Sequence, residues 1–311
     1  MKNKNAEETR LQTENKTESI PQIKKGFAIK NYHIFALITV SLWASSFSYT
    51  KMALEVFTVP VISMYRFIFA GLFMLAFGII KKIGLPDKRD IPIFLLSACV
   101  GFSLYQLVFN KGIDMLTSAT ACIVIAITPV ITAIFARIIF KEKIQIGGWI
   151  AIGICFFGIV VLMLWDGVLS INMGIFWMLI AAIFLATYNL LQRKLTKKYT
   201  ALQTTAYSII IGSLMLLVFL PQGITQAANA TWVHWGAVIF LGILPSAIAY
   251  LLWAKAISLA EKTSEVTNFM FIQPAIAMLL GFLVISEIPT IGMYVGAGII
   301  IFGLFLFSAK K

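Results

Sequence analysis

Residues 128–148 read TPVITAIFARIIFKEKIQIGG. The run is nearly all apolar, yet a proline stands second, a lysine-flanked glutamate follows, and a glycine pair closes it. Proline lacks a backbone donor, so within a helix the carbonyl four residues earlier loses its partner. The pattern returns at 273–293 as QPAIAMLLGFLVISEIPTIGM. Pro129, Glu142, Gly147, Gly153 and Gly158 recur at one constant offset as Pro274, Glu287, Gly292, Gly298 and Gly303. At a slightly shorter offset SMYRFIFAGLFML (63–75) recurs as TTAYSIIIGSLML (204–216), matching Gly71 to Gly212 and Met74 to Met215. Identities held in register over such lengths mark a chain built twice from one unit.

That unit belongs in a bilayer. The chain has 311 residues, 60% of them hydrophobic and only 12% charged, where a soluble domain has about a quarter charged. Apolar runs near the ~20 residues that cross a hydrocarbon core recur at about 33–50, 59–80, 91–110, 117–140, 146–165, 172–192, 203–220, 232–254, 264–286 and 290–308. They are long, continuous and without period-two alternation, which predicts helices and excludes barrel strands. The expected fold class is an all-α polytopic membrane protein with ten transmembrane helices. Residues 1–32 are polar and mixed in charge, a composition that cannot bury a core and reads as a disordered tail.

The net charge of +12 follows the loops rather than a face. Lys81, Lys82, Lys88 and Arg89 follow the second run; Arg137, Lys141 and Lys143 the fourth; Arg193, Lys194, Lys197 and Lys198 the sixth. Lys255 and Lys262 follow the eighth, and Lys310 and Lys311 follow the tenth, while the intervening loops carry only Lys51 and Lys111. Under the positive-inside rule this alternation predicts a multi-pass plasma-membrane protein with both termini in the cytoplasm. No basic face with interleaved aromatics suggests a nucleic-acid partner.

The repeats at 33–165 and 172–308 hold five spans each. Five is odd, so the second copy enters from the opposite side and the halves form inverted five-helix repeats. Secondary transporters recur on this plan, with substrate near the midplane between the halves. The ten spans, the paired Pro/Glu/Gly pattern, WASSFSYTK (43–51) and MYRF (64–67) resemble the EamA-like permeases of the drug/metabolite transporter superfamily, over residues 33–308. The resemblance implies a central cavity between the halves and movement, often outward, of small metabolites such as amino acids or amphipathic drugs. A passive channel or facilitator is the alternative, disfavoured because no ring of charges or filter-like sequence appears.

Polar residues within apolar spans are the cavity candidates: Trp43, Ser46, Tyr49, Arg66, Tyr105, Gln106, Tyr188, Asn189, Tyr250, Asn268 and Gln273. Aromatic walls with a few hydrogen-bonding groups suit a small amphipathic solute. Small hydroxyl residues and aromatics also serve helix packing and the interfacial belt, so each has a structural alternative. Arg66 is too costly to face lipid at mid-depth, leaving the interior or outward snorkelling; an interior Arg66 suits an anionic or carboxylate substrate. Its repeat partner is Tyr207, so the fold does not require the charge. No acidic residue lies at mid-depth, which weakens a proton-driven mechanism.

Pro129 cannot donate to the Ile125 carbonyl, nor Pro274 to that of Met270. Thr128 and Gln273 precede them and offer polar groups there. Each proline is a hinge candidate or a fixed packing kink. Glu142 and Glu287 read as scaffold at helix ends, and Gly153 and Gly298 as scaffold or homodimer contacts through close helix approach. Cys99, Cys122 and Cys155 lie in apolar runs without metal spacing, His33 and His234 lie at span ends, and no nucleophile–base or phosphate-loop pattern occurs. No metal, cofactor or catalytic role is expected; the expected partners are a small-molecule substrate, the lipid bilayer and a second copy of the chain.

Overall fold

The computed structural model describes residues 31–140, 146–164, 173–261, 263–286, 288 and 290–309. Within them the chain is helical and no strand occurs. The segments are α1 (Asn31–Leu54), α2 (Val59–Ile80), α3 (Lys88–Met115), α4 (Ser118–Ile125), α5 (Thr128–Phe140) and α6 (Ile146–Leu164). They continue with α7 (Met173–Leu195), α8 (Ala201–Ala227), α9 (Trp232–Leu259), α10 (Thr263–Thr267), α11 (Gln273–Ile285) and α12 (Ile291–Ala309). Among the described residues, six stretches are long and apolar enough to cross a membrane: α2, α3, Ser118–Ile139, α7, α8 and α9.

Local sequence sets the helix starts. Thr117 accepts from the Thr120 N–H at 3.1 Å at the head of α4. Thr200 and Gln203 form a reciprocal capping box at the head of α8, satisfying donors that a helix N-terminus leaves orphaned. Thr231 uses His234 similarly: its N–H donates to the imidazole Nδ1 at 3.2 Å. Pro60 lies in the first turn of α2, where its missing N–H would have had no helical partner.

The same logic places Pro129 and Pro274. The spans expected to be continuous at 117–140 and 264–286 are each divided just ahead of their proline. α4 ends at Ile125 and α5 starts at Thr128; α10 passes through a 3-10 turn, Asn268–Ile272, before α11 starts at Gln273. Both prolines therefore occupy the first turn of a new segment. The Ile125 carbonyl, out of reach of Pro129, accepts the Thr128 hydroxyl at 2.6 Å. The Met270 carbonyl accepts the Gln273 backbone N–H instead. Glu142 and Glu287 lie outside the described residues.

The bundle is apolar outside and mixed inside. Leu72 is 59% exposed, Ile79 68% and Phe305 66%, whereas Thr39, Ser48, Thr50 and Ser63 are fully buried. Water would penalise that outer surface, and a hydrocarbon solvent would not. α1 carries Thr39, Ser45, Ser46, Ser48 and Thr50 inward and packs on α9 and α11.

Two antiparallel pairs frame the bundle. α2 runs along α8, with Gly71 against Ser213 at mid-length; a Cβ added at Gly71 would sit 2.7 Å from the Ser213 hydroxyl oxygen. One end of the pair is joined by Thr58, whose N–H donates to Gln226 Oε1 at 2.9 Å and whose hydroxyl accepts from Gln222 Nε2 at 3.1 Å. At the other end Gln203 Nε2 and the Tyr207 hydroxyl donate to the Gly84 carbonyl at 3.1 and 3.0 Å. Beside them Lys198 bridges Asp87 and Asp90. The two carboxylates, Asp87 foremost, hold the Lys198 ammonium above the usual lysine range.

The second pair is α6 against α12. Its close approach is made by Gly158 and Gly303: an added Cβ would meet Ile300 Cγ1 at 2.6 Å and Cys155 Sγ at 2.8 Å, respectively. Gly153 and Gly298 were expected to make scaffold or homodimer contacts; within the chain nothing lies within 4 Å of a Cβ at either. The reason is angular. Positions five apart on a helix are rotated by about 140° (100° per residue), so Gly153 and Gly298 turn outward while Gly158 and Gly303 turn inward.

Candidate functional site

Trp43 and Ser46 from α1, Arg66 from α2, Tyr105 from α3, Tyr250 from α9 and Gln273 from the start of α11 line one internal cavity. Phe47, Phe109, Ile125, Leu185 and Met270 complete its wall. The space that admits a water centre is about 10 Å³, enough for about one water, so the walls are closed around a polar centre. A larger cavity of about 620 Å³ opens at the Thr58 end, between Leu54, Val56–Pro60 and Leu107, Lys111, Asp114, Trp177 and Phe219.

Two wide turns lie in the helices around the cavity. α3 contains a π turn at Cys99–Ser103 and α9 one at Gly242–Ile248. In α9 it accommodates Pro245, which a regular helix would not. The Pro245 carbonyl accepts the Trp43 indole N–H at 3.0 Å, and Ser246 Oγ accepts from Arg66 Nε at 2.5 Å. Thr39 adds a hydrogen bond to the Ala249 carbonyl at 3.1 Å. In α3 the Gly101 position lets the Tyr188 ring lie against the backbone; a Cβ there would be 2.2 Å from Tyr188 Cδ2. π turns of this kind frequently mark functional positions.

Arg66 is 3% exposed, and its Nη1 is buried without a hydrogen-bond partner. No ion pair to Arg66 occurs among the described residues; Tyr105 and Tyr250 share the cavity wall with it. Gln273, also 3% exposed, has its Oε1 buried without a partner. Aromatic edges surround these groups, with Trp43 and Tyr250 ring centroids 5.0 Å apart. The cavity thus offers a cation and an acceptor, both unpaired, inside an aromatic box.

Other expected cavity residues lie elsewhere. Gln106 donates to Asn110 Oδ1 at 2.7 Å, and Asn110 donates to Ser63 Oγ at 2.9 Å, a buried chain tying α3 to α2. Tyr188 is fully buried with its hydroxyl accepting from Gln192 at 2.9 Å. Asn189 Oδ1 accepts the Trp253 indole N–H at 2.9 Å, joining α7 to α9. Tyr49 stacks on Phe240, centroids 4.3 Å apart, away from the cavity. The Asn268 side chain lies outside what is described.

Three features escaped the sequence reading. Ser246 looks like any small residue in an apolar helix; the adjacent Pro245 was the available signal. Phe47, Phe109 and Met270 are indistinguishable from lipid-facing neighbours by type. Glu265, half-buried in α10, has one carboxylate oxygen buried without a partner and interacts with the Tyr32 hydroxyl. It is an acid within the first turn of an apolar run, a signal present but unused. Among the described residues no His/Cys/Asp/Glu cluster fit for a metal occurs.

The EamA-like transporter family matches the chain twice, over residues 30–164 and 172–309. An uncharacterized transporter of Bacillus subtilis (strain 168) is 28% identical over 275 residues, covering 88% of this chain and 89% of that protein. A protein of Streptantibioticus cattleyicolor named "probable terminal-alkyne amino-acid exporter" is 26% identical, covering 89% and 93%. A protein of Chlamydia trachomatis serovar L2 named as an S-adenosylmethionine/S-adenosylhomocysteine transporter is 27% identical, covering 84% of each. A solved crystal structure shares the fold at 15% identity with a TM-score of 0.66, covering 89% of this chain and 96% of its own.

Proposed function

The chain belongs to the EamA-like transporter family, a multi-pass membrane transporter rather than an enzyme, and from that premise we propose that it is a secondary carrier of small organic solutes, an exporter or exchanger. Ten crossings form two inverted halves, 33–165 and 172–308, with both termini in the cytoplasm. Solute is held between the halves by Trp43, Ser46, Arg66, Tyr105, Tyr250 and Gln273. Alternating access opens this cavity to one side and then the other, with the segment boundaries at Pro129 and Pro274 as the hinge candidates. Inverted repeats suit this mechanism because similar halves can exchange conformations, giving two states of comparable free energy.

The observation that carries the reading is the closed cavity itself. It is lined by helices from both matched halves, and it keeps polar atoms of Arg66 and Gln273 buried and unpaired. Unpaired buried polar groups are destabilising, so a site that retains them is arranged for something that arrives. The amino-acid exporter among the relatives supports a small polar cargo.

Counterflow in proteoliposomes tests the proposal. Preloaded unlabelled solute should drive saturable uptake of the labelled solute, drawn from a panel of amino acids, organic acids, purine-like compounds and cationic drugs. Flux that stays linear with concentration would instead make the protein a channel.

A further inference from the structure

We propose that the cargo itself is the counter-ion of Arg66: the cavity takes a solute bearing a carboxylate, which pairs with the Arg66 guanidinium, and a neighbouring hydrogen-bond donor, which Gln273 Oε1 accepts. This rests on the carrier reading and sharpens it to a class of substrate.

The argument starts from charge. A guanidinium taken from water without a partner is strongly penalised, yet Arg66 is buried with no carboxylate against it among the described residues. Its Nε is spent on Ser246, which fixes the plane of the fork and leaves Nη1 free within the cavity wall. A planar guanidinium with one edge anchored is suited to a carboxylate, which it can grip at two oxygens. The repeat supplies no reason for the charge, because the matched position is Tyr207, whose hydroxyl makes a backbone bond at the edge of the bundle.

Gln273 gives the second point. Its unpaired atom is an acceptor, so it calls for a donor such as an ammonium or amide N–H. The rest of the wall is Trp43, Phe47, Tyr105, Phe109 and Tyr250. Once the cavity opens these rings can flank an apolar or aromatic side group, and on closure they exclude water, which strengthens the ion pair. Neutral and cationic solutes leave Arg66 uncompensated, and a cation also adds repulsion. Cationic drugs are therefore excluded from the cargo.

The test uses matched triples sharing one side group: the amino acid, its primary amide, and the amine that lacks the carboxyl carbon. L-phenylalanine with L-phenylalaninamide and phenethylamine is one such set, and the corresponding leucine and methionine sets vary the side group. Thermal stabilisation of the purified full-length protein is read first, then counterflow in proteoliposomes. Acids are expected to stabilise and exchange, with amides and amines at least about 100-fold weaker, the scale of losing one partner of a buried charge pair. In Arg66→Gln the acid-to-amide ratio should fall towards one. Arg66→Lys keeps the charge but not the fork; it should bind acids more weakly and still prefer them, and it carries the test if Arg66→Gln does not fold. Stabilisation by an amide or amine as strong as by its acid, or by none of the acids, overturns the proposal. Saturable counterflow of a neutral or cationic solute would do so while leaving the carrier reading intact, whereas linear flux of every solute would remove the carrier reading itself.

Discussion

The Thr128 hydroxyl donates to the Ile125 carbonyl at 2.6 Å, the acceptor that Pro129 can never reach. Both groups are buried, so the bond closes a gap that lipid and protein would leave open. Thr128→Val preserves shape and removes the donor. It should lower thermal stability by about 1–3 kcal/mol, the range for stranding a buried acceptor, with Thr128→Ser recovering most of it. Unfolding of purified protein in detergent measures this; an unchanged midpoint for Thr128→Val would show the carbonyl has another partner.

Pro129 and Pro274 stand in the first turn of their helices, where a missing N–H is expected. Replacing Pro274 by Ala should therefore change stability by less than about 1 kcal/mol. If the segment boundary is a hinge, the same variant should alter the exchange rate while solute affinity stays constant. Unchanged rate and affinity together would make the boundary a fixed kink.

Gly158→Leu and Gly303→Leu should collapse the folded yield, because a Cβ alone already meets Ile300 at 2.6 Å or Cys155 at 2.8 Å. Gly153→Leu and Gly298→Leu should fold, since their Cβ positions are open. Fluorescence-detected size-exclusion of all four variants decides it. Loss of monodisperse protein in Gly153→Leu would point to an intermolecular contact on that face.

Trp43→Phe removes the 3.0 Å bond to the Pro245 carbonyl while keeping an aromatic wall. The expected result is a destabilisation of about 0.5–1.5 kcal/mol together with weaker solute binding. The second effect follows because the π turn that Trp43 braces also presents Ser246 to Arg66. If binding is unaffected while stability falls, Trp43 braces the turn without setting the guanidinium.

Lys198 is charged in the fold beyond the ordinary lysine range because of Asp87 and Asp90. A raised folded value gives stability that is complete below the unfolded value of 10.5 and lost only as pH climbs through the higher folded value. Stability contributed by this bridge should thus be flat through neutral pH and fall in strong alkali as Lys198 loses its proton, and again in strong acid as Asp90, whose carboxyl Lys198 holds below the usual range, gains one. Since the groups are exposed, added salt should weaken it. Lys198→Met should abolish the alkaline component, as followed by pH-dependent unfolding.

The helical plan was legible because membrane spans announce themselves by length and because the chain writes its unit twice. The cavity was legible where polarity interrupts an apolar helix: Trp43, Ser46, Arg66, Tyr105, Tyr250 and Gln273 stand out by type and meet in space. Facing was not legible. In water an amphipathic stripe tells inside from outside, but in lipid apolar residues face both the core and the solvent. Phe47 and Phe109 therefore look like Phe305, and inward Gly158 looks like outward Gly153. Gln106 and Asn189 were polar for structural reasons, pairing with Asn110 and Trp253. The π turns were hidden because they depend on backbone that only packing reveals; Pro245 marked one and nothing as plain marked the other.

The α2–α8 pair is tied at both ends, by Thr58 to Gln222 and Gln226 and by Gly84 to Gln203 and Tyr207. Sliding one helix along the other by a turn, 5.4 Å, would break all of these bonds at once. Rolling about the shared long axis would strain them far less. The geometry therefore opposes a piston stroke more than a torsional roll. Because Arg66 lines the cavity from α2, such a roll would swing the guanidinium sideways across the bundle rather than along its length.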